Sequence, residues 1–303
     1  MAISRSQLVK ELEPGLNALF GLEYKRYENQ HAEIYTTESS DRAFEEEVML
    51  SGFANAQVKG EGAGVSFDEA QETFTARYSH ETVALAFAIT EEAIEDNLYD
   101  RISSRYTKAL ARSMSNAKQV KSVEPLINGL PSTATFKSGD GVALFSTAHP
   151  TVAGTFKNTL TTQADLNETS LEQSLIDIAA MTDERGLRIA ARGVKMIIPS
   201  ELQFTAERLM KSQGRTATAD NDINAIVSMG MIPQGYRVNN YLTDSDAFYI
   251  ITDVPNGMKM FQRAPLKTAM EGDFDTGNVR YKARERYSFG VSDPRGIFGV
   301  EGA

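Results

Sequence analysis

Residues 90–123 read TEEAIEDNLYDRISSRYTKALARSMSNAKQVKSV. Apolar and aromatic residues recur there at helical spacing: Ile94, Leu98, Ile102, Tyr106, Ala109, Leu110, Met114, Ala117 and Val120. Thr90 is a capping residue, and Glu91, Glu92, Glu95, Asp96 and Asp100 sit where the helix dipole favours negative charge. No Gly or Pro interrupts before Pro125, which disfavours helix at Glu124. The spacing predicts one rod about 50 Å long at 1.5 Å per residue. Such a rod needs other elements along it. A second face carries Arg101, Arg105, Lys108 and Arg112, with Lys118 and Lys121 beyond. That stripe reads either as a solvated face or as a surface for an acidic partner.

Around the rod, the composition is that of an ordinary globular chain: 303 residues, 41% hydrophobic, 24% charged, net charge −10. The basic residues form no single run, which argues against a dedicated nucleic-acid binder. Without cysteine there is no disulfide and no thiolate metal site. The N-terminus has no apolar core of signal-peptide length, and no stretch of about 18 apolar residues spans a membrane. The expectation is a soluble protein made in the cytoplasm.

Upstream, residues 1–43 begin with a short amphipathic piece (Leu8, Leu12, Leu16, Leu19, Phe20), broken at Pro14-Gly15. They read as a tail or as an arm resting on something else. Residues 44–89 read as a long hairpin with a glycine-rich tip at 59–64. Phe74, Ala76 and Tyr78 share one face; beyond Ser79-His80 the parity changes to Val83, Leu85, Phe87 and Ile89, which implies a bulge or bend. Downstream, Thr169 and Glu172 suggest a capping box before a helix with Leu171, Leu175 and Ile178 inward. Residues 194–198 read as a buried strand. Ser200 and Gln203 suggest a second capping box, for a helix that buries Leu202, Ala206, Leu209 and Met210. Residues 213–222 are polar. A short helix near Ile223–Val227, strands at 248–252 and 258–262, and an alternating strand at 278–291 complete the chain. In the last, Val279, Tyr281, Ala283, Tyr287, Phe289 and Val291 point one way, and Arg280, Lys282, Arg284 and Arg286 the other. Helices and strands without regular β-α-β alternation indicate an α+β fold.

Chemistry is sparse. The three histidines, His31, His80 and His149, are far apart, with no metal-ligand spacing. Ser146 and His149 lack a third orienting group and a nucleophile turn, so His149 reads as a turn or packing residue. Asp220, Asp222 and Asn224 begin like a calcium loop, but Ala225 stands at the required Gly and Met231 at the closing Glu. Ser115 and Lys118 have Ser-x-x-Lys spacing without its companion motifs. The glycine-rich tip lacks the Lys-Ser/Thr of a phosphate loop. No catalytic, cofactor-binding or metal-binding residue is expected.

Three stretches carry a resemblance. Residues 140–150 (DGVALFSTAHP), 182–202 (TDERGL, continuing to VKMIIPSEL) and 293–299 (DPRGIFG) resemble, in this order, those of tailed-phage major capsid proteins. The likeness is to the Mu-type major head subunit group, which has the Hong Kong 97 fold. An aromatic residue is expected where Pro294 stands. The resemblance implies an N-terminal arm (1–43), an extended hairpin loop reaching over a neighbour (44–82), and a peripheral domain with its spine helix (83–165). An axial domain (166–257) and a return to the peripheral domain (258–303) follow. It implies a virion structural protein, not an enzyme, that self-assembles without cofactor into hexameric and pentameric capsomers of an icosahedral shell. The implied partners are a portal, a separate scaffolding protein (the hairpin begins too early to leave room for a built-in segment), a decoration protein where one is used, and DNA packaged without sequence-specific binding. It implies no membrane. The expected contacts between subunits are Phe53, Val58, Val65, Phe67, Phe74 and Tyr78 on the hairpin and Arg101, Arg105, Lys108 and Arg112 on the rod. Lys59 has no identified Asn and Glu to match it, so no cross-link is carried over. The rivals are a tail or tube subunit and an unrecognised soluble enzyme.

Overall fold

The computed structural model describes residues 5–90, 92, 99–214, 223–273 and 277–303, with side chains in these ranges except at 5–13 and 99–103. The expected acidic start of the rod and the polar stretch 215–222 lie largely outside the described residues.

The alternating run becomes β11 (Val279–Val291), the centre of a four-stranded sheet ordered β1-β10-β11-β4. β10 (Met258–Gly272) and β4 (Glu81–Ile89) flank it antiparallel, and β1 (Thr36–Ser39) adds parallel to β10. The strand expected at 258–262 runs ten residues further, to Gly272. Register shifts between Gln262 and Lys267 absorb Pro265, which cannot donate to a ladder.

One face of this sheet is covered by helices. The described rod is α2 (Tyr99–Ile127), and α1 (Arg5–Arg26) lies beside it. Leu110, Ala111 and Met114 of α2 pack with Leu16 and Phe20 of α1 on Tyr281 and Ala283 of β11. Both proline expectations are corrected. α1 continues through Pro14 because Leu16 and Phe20 beyond it are buried. α2 continues through Pro125 because Val123 and Leu126 are buried, at 1% and 0% exposure. In each case one lost backbone hydrogen bond is outweighed by side chains worth about 1.5–3 kcal/mol each on burial.

The parity switch at Ser79-His80 marks a change of sheet. β2 (Phe44–Leu50) and β3 (Glu72–Ser79) form a two-stranded ribbon, and the chain then enters β4 in the four-stranded sheet. His80 pins the corner: its Nδ1 lies 2.9 Å from Ser288 Oγ and its Nε2 3.0 Å from Ser40 Oγ. Leu85 keeps the predicted parity but is exposed. Residues 65–71, expected to alternate as strand, are not part of β3.

A second four-stranded sheet is ordered β12-β9-β7-β8: β12 (Ile297–Val300), β9 (Phe248–Thr252), β7 (Gly193–Ile198) and β8 (Tyr236–Val238). Helices α3 (Glu168–Ala179) and α4 (Gln203–Lys211) bury Leu171, Leu175, Ile178, Ala206 and Leu209 against it. A short α5 (Ala225–Met229), capped by Asn224, adds Ile226. The helix boundaries differ from expectation. The capping box of α3 is Asn167–Ser170, because Asn167 holds the extended backbone of a cap. Ser200 opens a 3₁₀ turn (Ser200–Leu202) ahead of α4 and makes no cap bond. β12 pairs antiparallel with β9 and completes the second sheet.

Between α1 and β1, His31 reaches α2. Gln119 Oε1 accepts its backbone N–H at 3.0 Å, and the Gln119 amide lies 3.1 Å from Nδ1. Burial, then the charge of Lys118, lower its pKa from 6.5 to about 4, against the Gln119 bond. His31 is neutral in the fold, so its contribution is intact above 6.5. It is lost as pH falls from 6.5 towards 4, because only the unfolded chain takes up the proton. Chemical denaturation between pH 7 and 4 should show up to about 3 kcal/mol of acid destabilisation from this group. A His31→Asn variant should lose that portion of the slope; an unchanged slope would refute it.

Candidate functional site

The three stretches that carry the resemblance meet at one buried junction. Glu184 pairs with Arg295 at 2.6 Å, both side chains 4% exposed. The Arg295 guanidinium stacks 4.1 Å over Phe156, which stacks on His149. Asn158 donates to the carbonyls of Leu144 and Pro294, tying 140–150 to 293–299. His149 is fully buried, with Nδ1 2.6 Å from Asp140 and Nε2 3.0 Å from Asn158 Oδ1. Burial raises the Asp140 pKa, but hydrogen bonds from His149, Ser138 and the Val142 N–H outweigh it and hold the carboxyl below its usual range. Ser146 Oγ accepts from the Ala148 N–H and makes no bond to His149. Both imidazole nitrogens are taken up, Nδ1 by Asp140 and Nε2 by Asn158 and the Leu144 carbonyl, so the junction ties the stretches together. Sequence spacing alone could not place Glu184 and Arg295 together. Among the described residues no group of three His, Asp or Glu is placed to hold a metal, and no helix is long and apolar enough to cross a membrane.

The surface is more informative. From residue 53 to 71 every residue beyond the β2–β3 ribbon is exposed. The exposures are 61% at Phe53, 100% at Val58, 68% at Val65 and 97% at Phe67. Its base is closed by Ser51 N–H to the Gln71 carbonyl (2.8 Å) and Thr73 Oγ1 to the Met49 carbonyl (3.1 Å). Asp68 receives the Ala54 N–H (2.7 Å) and an Arg185 guanidinium (3.3 Å). These bonds shape the loop and leave its apolar side chains uncovered.

The other expected contact residues divide. Phe74 is half-buried and Tyr78 buried at 3% exposure. The Tyr78 ring packs edge-on to Phe261 and against Gly290, so it anchors the ribbon to its own sheet. Arg105, Lys108 and Arg112 are exposed on α2 with no ion-pair partner among the described residues. The side chain of Arg101 lies outside those described. Lys118, counted with the stripe, points the other way and is buried against Glu285 at 3.0 Å. Lys121 pairs with Glu81.

The architecture is the Hong Kong 97-type phage capsid fold. It matches the virus-like particle from Pyrococcus furiosus at 11% identity, over 94% of this chain and 98% of that one, with a TM-score of 0.51. The capsid of an empty GTA particle matches at 14% identity, covering 90% and 89%, TM-score 0.56. The capsid of Myoviridae phage XM1 matches at 12%, covering 89% of each chain, TM-score 0.54. The sequence profile of the phage capsid proteins matches residues 72–300, and the chain belongs to that family. It is a tailed-phage major capsid protein, a structural subunit of the virion that assembles with its copies into an icosahedral shell. No curated protein matches its sequence.

Proposed function

We propose that this subunit acts only by packing, with no catalytic step, and that its exposed loop is the part that joins copies. The observation that carries this is the loop itself: Phe53, Val58, Val65 and Phe67 are exposed beyond the ribbon, and none of the described residues covers them. Large apolar side chains so exposed mark a contact surface. In this reading residues 1–43 are the arm, 44–82 the extended loop laid over a neighbour, and 83–165 the peripheral domain with α2 as spine. Residues 166–257 with β12 form the axial domain, which meets its copies around the axis of hexameric and pentameric capsomers. Arg105, Lys108 and Arg112, with Arg101, face an acidic neighbour or a separate scaffolding protein. The shell forms in the host cytoplasm, carries a portal and any decoration protein, and holds DNA without sequence-specific contacts.

Electron microscopy of the purified protein tests the assembly. Closed shells or capsomer rings are the expected result. Tubes would favour a tail subunit, and dispersed single particles at assembly concentrations would overturn the reading.

A further inference from the structure

The sheet ordered β1-β10-β11-β4 ends at β4, and that edge is open. The ladder from β4 to β11 is unbroken, and among the described residues no strand pairs on the other side of β4. An antiparallel strand turns the N–H and C=O of every second residue to one side, so β4 offers a row of unused donors and acceptors along its nine residues. The other edges are protected: β1 is four residues long, β8 three, and β12 is buried throughout. Native edges are kept short, charged, bulged or covered, because an open one pairs with any strand it meets. β4 has none of these devices. Its one charged residue, Glu81, is taken by Lys121 at 2.5 Å. Ala84, Leu85, Ala86 and Ala88 are exposed, Leu85 at 47%.

A second apolar feature runs beside this edge. α2 lies along β4 and antiparallel to it: the Tyr106 ring is 5.8 Å from the Phe87 ring, and Lys121 stands at Glu81. From Tyr106 to Lys121 the helix rises about 22 Å, and from Phe87 back to Glu81 the strand spans about 20 Å, so the two keep step. The flank of α2 on this side carries Tyr106, Ala109, Ser113, Ala117 and Val120, one helical stripe without a charge. Tyr106 and Val120 belong to the apolar spacing that predicts the rod, yet they are 53% and 42% exposed. Arg105, Lys108 and Arg112 lie on the adjoining face, turned from the edge by the helical phase. Edge and flank form one uncovered side whose only charges are the Glu81–Lys121 pair. Contiguous apolar surface of this kind marks a contact.

We propose that two copies of the chain meet edge to edge along β4 at a two-fold axis, so that their sheets become one and their α2 flanks pack together. Such a contact joins a patch to itself and requires self-complementarity. An antiparallel register centred on Leu85 provides it. Leu85 meets the partner's Leu85, Ala84 the partner's Ala86, Val83 the partner's Phe87, Thr82 the partner's Ala88 and Glu81 the partner's Ile89, with no like charges opposed. The same axis passes near Ser113 and sets Tyr106 towards the partner's Val120 and Ala109 towards the partner's Ala117. α2 packs on both β11 and β4, so the two helices come about 10 Å apart, the spacing of packed neighbours. Arg280, Lys282 and Arg284, on the opposite face of β11, stay three strand spacings, about 14 Å, from their copies, beyond the screening length of about 8 Å. A foreign extended segment would use the edge alone and leave the α2 flank bare. The inference rests on the assembly of copies into a shell and adds which surfaces meet at a two-fold; the exposed loop takes no part in it.

The absence of cysteine makes the register directly testable. In shells of Leu85→Cys each thiol faces its copy at a Cα separation of about 4.5–5.5 Å, within disulfide reach. Mild oxidation should convert most of the protein to disulfide dimers. Thr82→Cys shells, whose thiols stand about 20 Å apart, should stay monomeric on denaturing gels, and mixed Thr82→Cys and Ala88→Cys subunits should cross-link. Leu85→Lys should cut shell yield at least tenfold at an unchanged melting temperature, and mixing Leu85→Lys with Leu85→Glu subunits should restore it. On the unaltered protein, amide hydrogen exchange within 81–89 should slow at least tenfold when subunits enter shells. Shells with neither dimers nor slowed exchange would overturn this inference and leave the capsid assembly standing. Slowed exchange without Leu85→Cys dimers would assign the edge to another strand and overturn the two-fold pairing. An unaltered protein that forms neither shells nor capsomers would overturn the assembly and this inference together.

Discussion

Replacing residues 52–70 with a short Gly-Ser linker should leave a folded, soluble subunit that closes no shells. The loop contributes little to its own fold. The replaced stretch is almost entirely exposed, and the Ser51–Gln71 and Thr73–Met49 bonds that close the ribbon remain. What is lost at home is the Asp68–Arg185 pair, in which Asp68 is 41% exposed, with the exposed bonds from Arg185 to the Glu69 carbonyl and from the Ala54 N–H to Asp68; such exposed pairs are worth about 0–1 kcal/mol. What is lost between copies is larger. Burying Phe53, Val58, Val65 and Phe67 on a neighbour is worth about 6–12 kcal/mol gross, before the cost of ordering the loop. Calorimetry should therefore show a melting temperature within a few degrees of the parent, and electron microscopy should show no closed particles. A variant that unfolds as a monomer would mean that the loop belongs to its own core.

Glu285→Ala should destabilise the subunit by about 3–5 kcal/mol, because it strands a buried cation. Glu285 is 1% exposed and Lys118 10%. The carboxylate holds Lys118 Nζ at 3.0 Å and accepts the Tyr24 hydroxyl at 2.8 Å, so it joins α1, α2 and β11. Its removal leaves both donors without their acceptor. Replacing the pair with Lys118→Met and Glu285→Leu should recover most of the loss, since apolar substitutes for a buried ion pair are often neutral or better. Urea titrations of these variants in the loop-deleted background avoid the complication of assembly. A Glu285→Ala variant within about 1 kcal/mol of its parent would contradict the role assigned to the pair.

Glu285 also shows where reading the chain alone stops. The alternation of β11 was legible because every second side chain faces the helices, and the apolar ones declare it. Glu285 obeys the same parity, yet its type says surface. Its partner, 167 residues away, sits in a helix stripe that looks uniformly basic. The contacts that reverse those assignments are made only on folding.

The same division runs through the rest of the molecule. Local periodicity and turn chemistry determined the rod within 99–123, the strands at 194–198, 248–252 and 279–291, the bend at Ser79-His80 and the apolar character of the loop. The order of three short stretches determined the capsid resemblance. Other features were decided by tertiary structure, because each depends on a partner distant in sequence. β10 runs on to Gly272 because β11 lies beside it, and β12 joins the second sheet because β9 offers an edge. α1 survives Pro14 because α2 and Tyr281 bury the side chains beyond it. Tyr78 anchors the ribbon because Gly290 leaves room for its ring. A period records that a face is buried; which surface buries it is set by packing between segments whose spacing along the chain carries no trace of the contact.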